Sequence, residues 1–194
     1  MRKTSVVTVL CLIGAGVAMA QQPEVRRTFA MSGTFELGGS ASFSSYTQVY
    51  SGATGNATYS LAFSPSAGYF VIDDLELVVN PLTVDYAWSG SVNALSLMPM
   101  AGVAYNFRAN PRAFPYLEGV AGFAYDRSDN GITASITRSG LAWAARGGVK
   151  FLLTGTAIVN VGVQYQQVTL NQSGEAERTG YNLIAVTAGI SFWL

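Results

Sequence analysis

Histidine is absent from the chain, cysteine occurs once, and charge is scarce. The first absence excludes Ser-His hydrolases, His-ligated metal sites and most general-base chemistry near neutral pH. The single cysteine, Cys11, lies within the first twenty residues. The remainder therefore has no disulfide, no thiol chemistry and no Cys-ligated metal. Charged residues are 11% of the 194, against about 25% in an average soluble domain. The 11 basic and 11 acidic residues balance, which excludes the basic footprint of a nucleic-acid binder. Beyond the N-terminus, Ser, Thr, Asn, Gly or a charge interrupts every apolar run before it reaches transmembrane-helix length. Yet 49% of the chain is hydrophobic and 12% aromatic, with a mean hydropathy of +0.29. That composition excludes a disordered chain. The length suits one domain, or two small ones at most, and no repeat or second domain is visible.

Residues 1–20 read as a cleaved signal peptide. Arg2 and Lys3 make a basic start, Ser5 to Ala20 is uncharged and mostly apolar, and Ala18-Met19-Ala20 has the small-x-small pattern of a signal-peptidase site. An anchor helix fits less well, because the 16 residues from Ser5 to Ala20 fall short of the ~20 needed to span a bilayer. A lipidated Cys11 also fits less well, because Leu10 stands where processing wants a small residue. Residues 21–194 are then one domain, with 9 basic residues against 11 acidic once Arg2 and Lys3 are removed.

That domain alternates with period two, eight times over. From Phe29 to Phe43 the odd positions are Phe29, Met31, Gly33, Phe35, Leu37, Gly39, Ala41 and Phe43; between them lie small or polar residues and Glu36. Such a run is a strand with one apolar and one small-polar face. Further runs present Tyr59, Leu61 and Phe63; Leu75, Leu77 and Val79; Leu95 to Phe107; Leu117 to Tyr125; Leu141 to Phe151; Val159 to Tyr165; and Ile184 to Leu194. In the third run the phase changes at Asn80-Pro81, after which Leu82, Val84, Tyr86 and Trp88 carry the apolar face. Proline cannot donate to a ladder, so a bulge is expected there. The connectors Gly68–Asp74, Arg108–Ala113 and Leu153–Thr156 are short. Ser44–Asn56, Arg127–Arg138 and Asn171–Arg178 are longer and polar, with Ser89–Asn93 the exception. Short turns at one end and longer loops at the other are the pattern of an outer-membrane barrel.

Eight alternating strands also describe a secreted lipocalin-like barrel with its apolar face inside. A solvated exterior would be rich in Lys and Glu, whereas here the polar face is mainly Ser, Thr, Gly, Ala, Asn and Gln, with few charges. Such residues suit a cramped lumen. Aromatics gather near strand ends, as two interfacial girdles require. Phe29, Tyr105, Phe107, Phe151 and Phe192 fall towards the short turns. Phe43, Tyr86, Trp88, Tyr125 and Tyr165 fall towards the long loops. The expected fold is an all-β, eight-stranded antiparallel up-and-down transmembrane β-barrel.

The C-terminal residues Thr187-x-Gly189-x-x-Phe192-x-Leu194 resemble the assembly signal of bacterial outer-membrane proteins, with Leu in place of the commoner terminal Phe. The segments Pro65–Leu75, Pro115–Tyr125 and Gly147–Leu153 resemble a turn and two strands of the outer membrane protein beta-barrel domain family, and the strand number resembles the small OmpA/OmpX-type barrels. The resemblance implies a Gram-negative outer membrane and contact with lipid and lipopolysaccharide. It also implies assembly by the barrel assembly machinery with periplasmic chaperones, and a monomer without cofactor. The short turns would be periplasmic.

The inward faces carry Glu36, Glu76, Glu118, Arg146 and Lys150. Glu118 and Arg146 are equally far from position 132, so a hairpin turning there sets them side by side. Glu36 is expected to reach the same layer across the lumen. A salt-bridge plug that rigidifies the barrel is the bland reading, because an eight-stranded lumen is just wide enough for side chains; a gate or ion path is the sharper one. No phosphate-binding loop, dinucleotide motif or metal-ligand spacing is present. Without histidine, the expectation is a structural or interaction barrel and not an enzyme. A narrow pore for small solutes and a surface adhesin acting through its loops are the alternatives.

Overall fold

The computed structural model describes residues 29–50, 53–90, 92–129, 136–171 and 178–194. Ala18 and Ala20 of the expected cleavage site lie outside them. Eight strands follow one another: β1 (Phe35–Tyr50), β2 (Ala53–Ile72), β3 (Leu75–Ser89), β4 (Val92–Asn106), β5 (Ala113–Asp129), β6 (Ile136–Leu152), β7 (Ala157–Asn171) and β8 (Arg178–Trp193). Each pairs antiparallel with its chain neighbours, and β1 pairs with β8, closing the barrel. The expected architecture is the observed one.

Proline sets the main irregularity. The pairing of β3 with β2 slips between Phe63 and Ala67, and its pairing with β4 slips between Asn80 and Thr83. Both neighbours shift at the same height, so the extra residue belongs to β3, at Pro81-Leu82. This bulge turns Glu76, Val78 and Asn80 inward below it and Thr83 and Asp85 inward above it. The phase change read from the sequence is this bulge.

Two expectations need correction. The first run does not begin at Phe29. Ala30 and Gly33 adopt left-handed backbone angles (φ 68° and 82°), which an extended strand cannot contain. Residues 29–34 instead fold under the barrel. Phe29 is fully buried and sits edge-on to Phe70 and Phe114, 5.4 and 4.9 Å between ring centroids. It belongs to the interior, not to the girdle. The contrast in connector length also disappears. The long polar connectors are largely ladder, paired as far as Tyr50↔Ala53, Ser128↔Ile136 and Asn171↔Arg178. Strands of 15 to 20 residues exceed the ~9–11 that cross a bilayer, and the surplus projects past the aromatic band at that end. We call it the upper end; the lower end holds the turn at Asp73-Asp74.

The outward positions form an apolar belt. Phe123, Ile184, Leu141 and Val186 are 69, 74, 62 and 63% exposed. Aromatic pairs edge the belt: Phe35–Tyr69 and Tyr105–Phe107 below, Phe43–Tyr59–Trp88–Tyr86 and Trp143–Tyr165 above. A continuous apolar surface around a whole molecule is stable against lipid, not water.

Candidate functional site: the lumen

The interior is layered. At the lower end Phe29, Ala30, Phe70, Phe114, Ile158 and Trp193 form an apolar floor. A clasp holds the N-terminal turn there. Arg108 Nε donates to Asp74 (2.5 Å) and its Nη2 to the carbonyl of Ala30 (3.0 Å). The Ser32 N–H donates to Asp73 (2.9 Å). That N–H, with Arg108 beside it, holds the Asp73 carboxyl below the ordinary carboxylate range. The hydrogen bond to Asp74 correspondingly raises Arg108.

Above the floor all five predicted inward charges border one small cavity of about 40 Å³. Lys150 Nζ donates to Glu36 (2.7 Å) and to Glu76 (3.0 Å). Ser191 Oγ donates to the other Glu36 oxygen (2.6 Å), and Asn106 Nδ2 to Glu76 (3.3 Å). The ammonium also lies 5.5 Å from the ring centroids of Phe29 and Tyr116. Gly68 makes room for Glu76, since a Cβ there would collide with its carboxylate. Next, Arg146 and Glu118 are direct partners in the β5–β6 register, and Arg146 Nη1 donates to Glu118 at 2.6 Å. Arg146 also reaches Asn80 (3.1 Å) and Gln164 (2.6 Å). Gln164 in turn donates to Gln166 (2.7 Å). Glu36 therefore belongs to Lys150 and not to the Arg146 layer. The ladder joins Lys150 through Asn160 and Gly189 to Ser40, and strand tilt decides which residue of β1 faces it across the lumen.

A second apolar cluster follows on β4–β7, of Met98, Met100, Val120, Ala124, Ala142, Ala144, Val168 and Leu170, faced by the hydrogen-bonded Ser64 and Thr83 of β2 and β3. Over it lies a polar mouth that the sequence reading missed. Asp85, Asp126 and Arg138 point inward there. Asp126 and Arg138 fall just beyond the ends given to the fifth and sixth runs. Asp85, between Val84 and Tyr86, was open to discovery by alternation.

Solved structures share this fold. Neisserial surface protein A superposes with a TM-score of 0.57 at 18% identity, covering 83% of this chain and 97% of that one. The chain has the fold of the small outer-membrane β-barrels. Outer membrane protein OprG of Pseudomonas aeruginosa matches with a TM-score of 0.50 at 16% identity, over 88% of this chain and 99% of that one. No protein-family model and no curated protein sequence matches the chain. Within this barrel fold the C-terminal motif lies on β8. Phe192 and Leu194 are half-exposed on the belt, Thr187 is buried, and Gly189 abuts the Gly39 carbonyl and Asn160.

Proposed function

We propose that the protein is a non-catalytic, monomeric barrel of the bacterial outer membrane that serves as a structural or interaction element and does not conduct. The observation carrying this is the filling of the lower lumen by an apolar floor and a paired-charge plug. The floor around Phe29 is apolar, the β4–β7 wall around Met98 is apolar above it, and between them every charged side chain among the described residues is paired. An ion crossing this interior would have to pass the floor and break these pairs, and breaking them is costly. Lipid and lipopolysaccharide cover the belt, and the Asp73-Asp74 end faces the periplasm. Thr187, Gly189, Phe192 and Leu194 mark β8 as the strand offered to the barrel assembly machinery after delivery by periplasmic chaperones. The exposed Phe192 and Leu194 side chains support that role. The hairpins projecting at the upper end supply surface for an extracellular partner.

Planar-bilayer recording tests the reading. The refolded protein is expected to give no steady openings, while Phe29→Ala combined with Arg146→Ala introduces conductance. Steady openings of the unmodified protein that Glu118→Gln alters would establish a pore instead.

A further inference from the structure

The lower cluster does not account for all buried charge. Asp85, Ser96, Asp126 and Arg138 are successive neighbours in register across β3, β4, β5 and β6. Ser60 Oγ donates to Asp85 (2.7 Å) and Ser96 Oγ to Asp126 (2.8 Å). Asp85 and Asp126 are 5 and 6% exposed. In the lower cluster each carboxylate touches a cation within 3.0 Å. In the mouth the one ion-pair contact among the described residues is Arg138 to Asp126, at 4.0 Å, and Asp85 has none. Arg138 Nε is buried without a hydrogen-bond partner. Ser44, beside Ser60 in the β1–β2 register, is 5% exposed and its Oγ also lacks one. A buried carboxylate bonded to a single neutral hydroxyl is under-compensated.

Ser60, Asp85, Ser96, Asp126 and Arg138 border a cavity of about 230 Å³ whose far wall includes Leu170, Tyr181 and Leu183. A cavity of ~150 Å³ already admits benzene, so there is room for a ring and a charged head. The β1–β8 ladder ends at Phe43↔Val186, and β8 carries Leu183 and Tyr181 beyond it.

We propose that this upper cavity binds a small organic cation, its ammonium or amidinium group between Asp85 and Asp126 and its apolar body against Leu170 and Leu183. Arg138 offsets one carboxylate and leaves Asp85 as the anionic position. A bare metal ion would use the oxygens but not the apolar wall, and an organic anion would meet two carboxylates. The site lies above the Met98 cluster and does not require conduction.

The test is ¹⁹F NMR titration of the full barrel in zwitterionic lipid nanodiscs. The probes are 4-fluorobenzylammonium, 4-fluorobenzyl alcohol and 4-fluorobenzoate. The ammonium is expected to bind saturably and about tenfold or more tighter than the other two. Asp85→Asn should weaken it about tenfold, and Leu183→Trp, which fills the cavity and keeps the charges, should abolish it. Heat-modifiable gel mobility confirms that each variant is folded. If Asp85→Asn does not fold, Leu183→Trp decides. Equal binding of alcohol and ammonium, no saturable binding, or unchanged affinity in a folded variant overturns the proposal. Displacement of nothing but added Mg²⁺ or Ca²⁺, without ammonium binding, overturns it too.

Discussion

Replacing Arg146 by alanine removes the centre of the lumen's hydrogen-bond network. Arg146 is 8% exposed and its guanidinium serves three acceptors: Glu118 at 2.6 Å, Asn80 at 3.1 Å and Gln164 at 2.6 Å. Deleting one member of a buried pair costs about 3–5 kcal/mol, chiefly because the other charge stays buried and uncompensated. Glu118, with its side chain 10% exposed, is that stranded charge. Arg127, on the exposed face of β5, is the control, with an expected cost within about 0.5 kcal/mol. Replacing both partners, Arg146→Met with Glu118→Leu, should recover most of the loss, since an apolar pair of similar volume leaves no charge behind. Reversible denaturant unfolding in lipid, followed by tryptophan fluorescence and by gel mobility, measures all three. Equal stability of the Arg146→Ala and Arg127→Ala variants would refute the plug. So would a double variant no better than Arg146→Ala alone.

Other consequences follow from the same layers. Val161 faces outward at 47% exposure, and Val161→Arg should cost about 2–4 kcal/mol if it meets lipid at mid-depth, read as reduced folding into vesicles. Gly68→Ala forces Glu76 from its place and should cost about 1–3 kcal/mol. Gly119→Ala, with open space around it, should cost much less in the same assay. The clasp under the barrel should respond to acid. Because folding lowers the Asp73 carboxyl below its ordinary value of 3.8, its contribution is complete above that value. It is lost as the pH falls through the lowered one. The hydrogen-exchange protection factor of the Ser32 amide should therefore drop below about pH 3.8, and Asp73→Asn should abolish that pH dependence.

The sequence made the barrel legible wherever lipid and lumen impose opposite chemistry on alternate residues. Pro81 exposed the β3 bulge because the phase of Leu77-Val79 and of Leu82-Val84 disagree across it. The Glu118–Arg146 contact was readable because one hairpin relates the two by symmetry about its turn. Lys150 has partners 114 and 74 residues away, and no local symmetry announces them. Phe29 was misplaced because its alternation with Met31 and Gly33 runs unbroken into β1. Ala30, a residue that rarely adopts a left-handed angle, gives no warning of the turn. The projecting hairpins were taken for loops because outside the membrane neither face of a strand must be apolar. The period-two signal fades there while the pairing persists. The mouth residues Asp126 and Arg138 were lost with it.

The central claim is that the apolar face of the strands meets lipid and the polar face is enclosed. Two native tryptophans sit on opposite faces: Trp143 points outward at 43% exposure, and Trp193 lies in the floor at 8%. Variants retaining one tryptophan each, folded into vesicles of bromine-labelled lipid, report directly on which face touches acyl chains. The Trp143 fluorescence should be quenched by the brominated chains and that of Trp193 should not. Quenching of Trp193 with Trp143 spared, or quenching of Trp143 by aqueous acrylamide alone, would contradict the account.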